Sequence, residues 1–277
     1  MHWNKYQSLG NDFLIAPLSE YENYVGPFTN ANLSVWLEPI VRLCNRKIGF
    51  GADGVILHNE LKNGQVKCLL INSDGSMANF SGNGFACLSA YFDTQQCLVI
   101  NERFHTSKIS DGVELCVRKF GSIKDRYLFE HRLEDYPYSL WDLGNEHAIF
   151  LKFADKPSKL LYNDPLESFE ELKAGRLESH FCSKELYPEG INVGLAVIGE
   201  NTIQLRVWER GCGWTEACSS GAVAAFLAAN SLRRTVGEVN IMQSGGKSVI
   251  YWIKAHESVG LKLNPTHVGS IEYEIKR

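Results

Sequence analysis

Asn72-Ser73-Asp74-Gly75-Ser76 runs on through Met77-Ala78-Asn79-Phe80 to Ser81-Gly82-Asn83-Gly84, and a distant echo stands at Ala217-Cys218-Ser219-Ser220-Gly221. Each is a small-residue loop that opens onto an apolar, helix-like segment. The first leads into Phe85-Ala86-Cys87-Leu88-Ser89-Ala90-Tyr91-Phe92, the second into Ala222-Val223-Ala224-Ala225-Phe226-Leu227-Ala228-Ala229. Glycine leaves backbone N–H groups unencumbered, and a helix N-terminus presents unpaired N–H groups with partial positive charge. Two such loops facing each other would hold a carboxylate from both sides. Ser81 and Cys218, which lead the two helices, would stand beside whatever carries it.

Outward from the first loop, Val66–Ile71 reads as the strand that feeds it, with the helix ending near Thr94. Residues 3–16 read as a strand interrupted at Ser8-Leu9-Gly10-Asn11-Asp12 by a loop or bulge. Asn32 is placed to cap a helix from Leu33 to about Arg46, with Pro39 awkward in its interior. Gly49-Phe50-Gly51-Ala52-Asp53-Gly54 precedes a strand at Val55–Leu57, and further strands are expected at 97–101, 103–109 and 112–119. A second series begins near Tyr127. It runs through Leu140–Gly144, Asn145-Glu146-His147, a strand at Ala148–Leu151, a short helix around Leu166–Ala174, and a hairpin of Ile191–Ile198 with Thr202–Trp208. The Cys218 helix then extends to about Arg234, and strands at 238–242, 247–254 and 258–263 follow. Both halves share one plan, which reads as an internal duplication into two α+β domains. The boundary is placed at Phe120-Gly121-Ser122. The domains are then 1–121 with the returning tail 264–277, and 122–263.

A net charge of −4 and a pI of 6.1 leave no basic excess for phosphates, so nucleic-acid and membrane-surface roles are not expected. No apolar run reaches the roughly 18 residues of a membrane span. The eight cysteines lie singly with no C-x-x-C pair, so a zinc site is not expected. Met1–Lys5 carries no secretory h-region, and the reading is a soluble, cytoplasmic chain with reduced thiols. There is no G-x-G-x-x-G and no lysine in a Schiff-base context, so no cofactor or metal is implied.

With these motifs in this order, the chain resembles the diaminopimelate epimerase family. The resemblance runs through Leu9-Gly10-Asn11-Asp12-Phe13, Gly49–Gly54, Asn72–Ser76, Gly82-Asn83-Gly84, Gly144-Asn145-Glu146-His147, Asn192-Val193-Gly194, Trp208-Glu209-Arg210-Gly211 and Ala217–Ala222. It implies two pseudo-symmetric α+β domains, each a mixed curled sheet around a central helix, with the active site between them. It also implies cofactor-independent epimerisation of diaminopimelate, LL to meso, or of a close amino acid. A homodimer rests on the resemblance alone.

Carried over by position, the resemblance assigns Asn11, Asn72, Asn145, Asn192 and Arg210 to the non-reacting end of the substrate. Gly82, Asn83, Ser219 and Ser220 would bind the carboxylate at the reacting carbon and stabilise the charge that flows into it. His147 and Glu209 would tune the bases. Cys218 would be a thiolate favoured by its helix N-terminus, acting as base or acid on one face. Singly, these residues have plainer readings: an asparagine in a turn supplies backbone geometry, His147 is a hydrogen-bonded core residue, and Glu209 with Arg210 is a surface ion pair.

Ser81 stands where the family has its first catalytic cysteine. A serine hydroxyl is a far weaker acid than a thiol and needs a neighbouring base to act, for which His147 is the nameable candidate. Ala86, Trp214, Ser219 and Cys212 also depart from the family pattern, and the resemblance assigns them to the same reacting region. Two alternatives therefore stand beside epimerisation: a lyase or isomerase using Cys218 as its one base, and a non-catalytic amino-acid-binding paralogue.

Overall fold

A computed structural model of the chain describes residues 1–29, 33–59, 62–93, 97–118, 120–122, 131–133, 136–154, 169, 180–181, 187, 190–210, 212–232, 237–253 and 257–273. The first elements are β1 (His2–Ser8), β2 (Asn11–Pro17), α1 (Leu18–Val25), α2 (Leu33–Cys44), β3 (Gly54–His58), β4 (Cys68–Asn72), β5 (Met77–Ala78), α3 (Gly82–Phe92), β6 (Leu98–Val99), β7 (Phe104–Ile109) and β8 (Gly112–Val117). Next come β9 (Gly121–Ser122), β10 (His131–Leu133), β11 (Tyr136–Asp142), β12 (Glu146–Phe153), β13 (Asn192–Ile198), β14 (Thr202–Glu209), β15 (Gly213–Thr215) and α4 (Ser219–Ser231). The last are β16 (Val239–Gln243), β17 (Gly246–Ile253), β18 (Ser258–Leu263) and β19 (Thr266–Glu272). Two compact units result: Met1–Cys116 with Leu263–Arg277, and Val117–Lys262.

In the first unit the sheet order is β19-β1-β2-β3-β4-β5, with β2 and β3 parallel and the other pairs antiparallel. The tail strand β19 pairs with β1. β3 is buried at every position, as an apolar run between two covered faces requires. Leu14, Ala16, Val55, Leu57 and Ile71 point to one face, against Tyr21 of α1 and Trp36, Ile40 and Leu43 of α2. Phe13, Ile15, Ile56 and Leu70 point to the other, against Cys87 and Leu88 of α3. This alternation is the two-residue period of the strands at work.

The second unit repeats the arrangement. Its order is β10-β11-β12-β13-β14-β16-β17-β18, with β12 and β13 parallel and β15 paired with β14. β13 is buried throughout. One face carries Leu140, Ala148, Phe150, Val193, Leu195 and Trp208 with Phe169 and Phe181. α4 packs on β11, β12, β13 and β14. Ser219 to Ala229 are all buried, so α4 is apolar all round because it is enclosed all round. The fold is α+β, two-domain and pseudo-symmetric, each sheet built against its own central helix.

Several local expectations change. The Ser8–Asp12 interruption is a hairpin turn: Leu9 and Gly10 take φ 53° and 82°, and Ser8 pairs with Asn11. The loop from Asn72 is itself a hairpin, β4–β5, before the chain enters α3. α1 was not expected; Pro17 precedes it without a capping side chain. α2 runs unbroken through Pro39. The Asn32 cap, Thr94, the strand start near Tyr127, the Leu166–Ala174 helix apart from Phe169, and the helix end at Arg234 lie outside the described residues. Among the described residues, Cys44, Cys68, Cys87, Cys97, Cys116, Cys212 and Cys218 form no disulfide, and no helix is long and apolar enough to cross a membrane.

Candidate active site

The two units match position by position. β1–β2–β3–β4–β5 corresponds to β11–β12–β13–β14–β15 in pairing sense, and each series is followed by its buried helix. The parallel ladders open on Phe13↔Gly54 and His147↔Asn192. Leu9-Gly10-Asn11 and Leu143-Gly144-Asn145 form the matching turns, with Gly10 at φ 82° and Gly144 at φ 94°. The same number of residues separates Asn72 from Ser81 and Glu209 from Cys218. Ser81 and Cys218 are therefore equivalent residues.

Both are helix N-caps. Ser81 (φ −146°, ψ 110°) caps α3, its Oγ accepting from Gly84 N–H at 3.1 Å. Cys218 (φ −127°, ψ 112°) caps α4, its Sγ accepting from Gly221 N–H at 3.4 Å. Backbone in the β region lets each side chain fold back onto the third helical residue. That residue is glycine because the helix lies close to the sheet: a Cβ on Gly221 would sit 2.8 Å from Val207 Cγ2, and one on Gly84 3.2 Å from Ile56 Cδ1.

In the first unit, Asn11 donates from Nδ2 to Asp53 Oδ2 at 2.9 Å, which leaves its Oδ1 to face a donor. Asp53 is held in turn: its N–H donates to Asp12 Oδ1 at 2.9 Å, and Arg46 Nη2 bridges Asp12 and Asp53 at 2.7 and 2.8 Å. Lys5 Nζ closes on Asp12 at 2.8 Å. Burial alone would raise the Asp12 carboxyl, but Arg46 and Lys5 outweigh it and hold it below the usual carboxylate range. Asn72 donates to Ser76 Oγ at 2.9 Å, and Ser73 N–H ties the same turn to Asp53 C=O at 2.9 Å. Asn11 and Asn72 are thus gathered at one sheet end around Asp53. Gly82 and Asn83 are buried in the first turn of α3.

In the second unit, strand alternation sends Val207 and Glu209 toward α4, and Trp208 to the opposite face. Glu209 lies against Cys218, where it accepts a hydrogen bond from the thiol and its charge adds to the rise in pKa that burial imposes. Thr215 Oγ1 donates to Glu209 Oε1 at 2.6 Å. Ser220 Oγ lies 3.3 Å from Cys218 Sγ and 2.9 Å from His147 Nε2. Asn192 Oδ1 accepts Arg210 N–H at 2.9 Å, turning its Nδ2 toward His147 Nε2 at 3.5 Å. A donor on that side makes Nε2 the acceptor and puts the imidazole proton on Nδ1, so the Ser220 hydroxyl donates to His147 and its oxygen faces the thiol. The Arg210 stem packs on Gly190, which takes φ 71°. Ser219 is buried in the first helical turn, and Asn145 sits in the β11–β12 turn.

These contacts change three expectations. Cys218 was expected as a thiolate. Burial pushes the thiol up first and Glu209 adds to it, and the Ser220 and Gly221 contacts that oppose them are outweighed, so the resting group is the thiol. His147 is fully buried and its pKa falls to about 3 by desolvation, so it is neutral and holds Ser220 rather than acting as a ready base. Trp214 pairs with Trp208 and packs on the aromatic face, not on the α4 face with Cys218. Thr215, Asp53 and Gln243, whose Oε1 accepts Cys218 N–H at 2.8 Å, are the site neighbours that sequence reasoning assigned no role. Asp53 lay in a quoted motif; Thr215 and Gln243 carried no pattern. Among the described residues no group of His, Cys, Asp and Glu could hold a metal ion.

The chain matches the family model described as diaminopimelate epimerase over residues 162–266. It is 30% identical over 269 residues to the diaminopimelate epimerase of Synechococcus sp. (strain JA-3-3Ab), covering 91% of this chain and 90% of that one. It is 28% identical to the diaminopimelate epimerase of Caldanaerobacter subterraneus subsp. tengcongensis, covering 99% and 100%. Its fold is shared with a hydroxyproline epimerase from Agrobacterium vitis solved with bound trans-4-hydroxy-L-proline, at a TM-score of 0.64, 10% identity and coverage of 98% and 90%.

Proposed function

The chain belongs to the diaminopimelate epimerase family of isomerases, and from that membership we propose that it moves a proton at the α-carbon of diaminopimelate or a close amino acid without a cofactor. The observation that carries this reading is the equivalence of Ser81 and Cys218 as N-caps of the two buried helices. Cys218 is the acid or base of one face; Ser81 stands in the position of the other. Gly82, Asn83, Ser219 and Ser220 offer first-turn N–H groups to the reacting carboxylate. Asn11, Asn72, Asn145, Asn192 and Arg210 hold the far end of the substrate.

The resting thiol fits proton delivery to a carbanion-like intermediate. A substrate ammonium beside Glu209 would cancel the charge that raises Cys218 and bring the thiol toward ionisation, coupling reactivity to occupancy. Ser81 favours a second reading, in which Cys218 alone exchanges the proton on one face, with or without loss of a β-substituent.

Incubation with LL-diaminopimelate in deuterated water, following α-deuterium and stereochemistry together, tests both. Exchange with inversion is expected for the epimerase. Exchange without inversion, or elimination from a β-substituted amino acid, assigns the one-base reaction. Calorimetric binding with neither marks a non-catalytic binding protein, and loss of no activity in Cys218→Ala would sink the assignment of Cys218.

A further inference from the structure

The N–H of a helix N-cap residue is ordinarily met, in a capping box, by the side chain three residues on. In α4 that residue is Gly221, where any side chain would run into Val207. The acceptor comes instead from the end of β16, 25 positions away: Gln243 Oε1 takes Cys218 N–H at 2.8 Å. The turn that follows Gln243 is fastened to the same segment, with Gly245 N–H donating to Glu216 C=O at 2.8 Å, and Arg206 Nη1 donating to Ser244 Oγ from β14. Gln243 Nε2 is buried with no acceptor among the described residues. A buried amide with unpaired donors is a cost that an apolar residue of similar shape would avoid, so its presence beside Cys218 calls for a function.

We propose that Gln243 is a positioning residue for Cys218, its Oε1 fixing the N-cap amide and so the direction of the thiol. The proposal rests on Cys218 being the proton-transferring group. Its test has one readout independent of turnover: peptide-resolved iodoacetamide labelling of Cys218 from pH 7 to 10 in the intact chain, with the exposed Cys97 and Cys212 as internal references. Gln243→Glu retains the acceptor and adds a carboxylate, so the Cys218 labelling profile should move up by about one pH unit while the references stay put. Gln243→Leu removes the acceptor and should lower kcat about tenfold with KM within about twofold, at an unchanged melting temperature. Wild-type Cys218 profiles in both variants overturn the proposal, as does a kcat loss in Gln243→Leu that only follows a lowered melting temperature. Absence of turnover in the wild type would remove the epimerase reading and leave the labelling arm to decide.

Discussion

Ser220 Oγ lies 2.9 Å from His147 Nε2, and the same oxygen is 3.3 Å from Cys218 Sγ. A hydroxyl has one proton to give. While Cys218 is a thiol with its proton turned to Glu209, Ser220 donates to His147; once the thiol has given up its proton, the hydroxyl can turn and donate to the thiolate. Ser220→Ala should therefore slow Cys218 alkylation at pH 8 on the order of tenfold, with kcat falling in step, and Ser220→Thr should restore both. Unchanged labelling in Ser220→Ala would separate the hydroxyl from the thiol.

Ser81→Cys places an ionisable group on the cap that matches Cys218. Inversion of diaminopimelate should rise on the order of a hundredfold, the scale of a positioned acid or base, and deuterium should appear with both configurations. A variant that exchanges no faster than the wild type would show that the first cap takes no part in proton transfer.

His147 ties stability to pH. Its folded pKa is depressed to about 3 against 6.5 in the unfolded chain, so between those values the unfolded state binds more protons. Its contribution is complete above pH 6.5 and is lost as pH falls through the window, at up to about 1.4 kcal/mol per pH unit. His147→Gln should flatten urea-unfolding stability between pH 6.5 and 4.5 relative to the wild type; parallel slopes would place the imidazole in solvent.

Gly221→Ala drives a methyl toward Val207 Cγ2, 2.8 Å away. A loss of about 1–3 kcal/mol is expected from this overpacking, measured by urea denaturation, with partial recovery in Gly221→Ala/Val207→Ala. No recovery would move the cause from packing to backbone.

Asp53→Ala releases the Asn11 carboxamide, whose Nδ2 it now holds at 2.9 Å. If Asn11 grips the non-reacting end of the substrate, KM should rise about tenfold, the worth of one hydrogen bond, with kcat changed far less. An equal fall in kcat and kcat/KM would place Asn11 at the reacting carbon.

Much of this architecture was legible along the chain because it is written in local signals. Val55–Leu57 and Val193–Ile198 are apolar without interruption, which marks strands covered on both faces. Ala222–Ala229 is apolar all round, which marks an enclosed helix. Small residues at Gly82–Gly84 and Ser219–Gly221 mark close helix entries. α1 escaped because Leu18–Val25 is only eight residues long and has no capping side chain, although Leu18, Tyr21 and Val25 lie on one face at helical spacing. Trp214 was misplaced because strand facing depends on register, and a shift of one residue exchanges the two faces.

The two capped helices, with an oxygen at one cap and a sulfur at the other, are properties of the sequence alone: N-cap chemistry, glycine spacing and apolar patterning act within a few residues. The protonation state at Cys218 is not. Burial, the Glu209 carboxylate, the Ser220 hydroxyl held by a neutral His147, and the Gln243 amide reach the thiol from separate strands and helix turns. A helix N-terminus by itself favours a thiolate; desolvation and a nearby negative charge favour the thiol, and only the folded chain brings these together so that the second effect prevails.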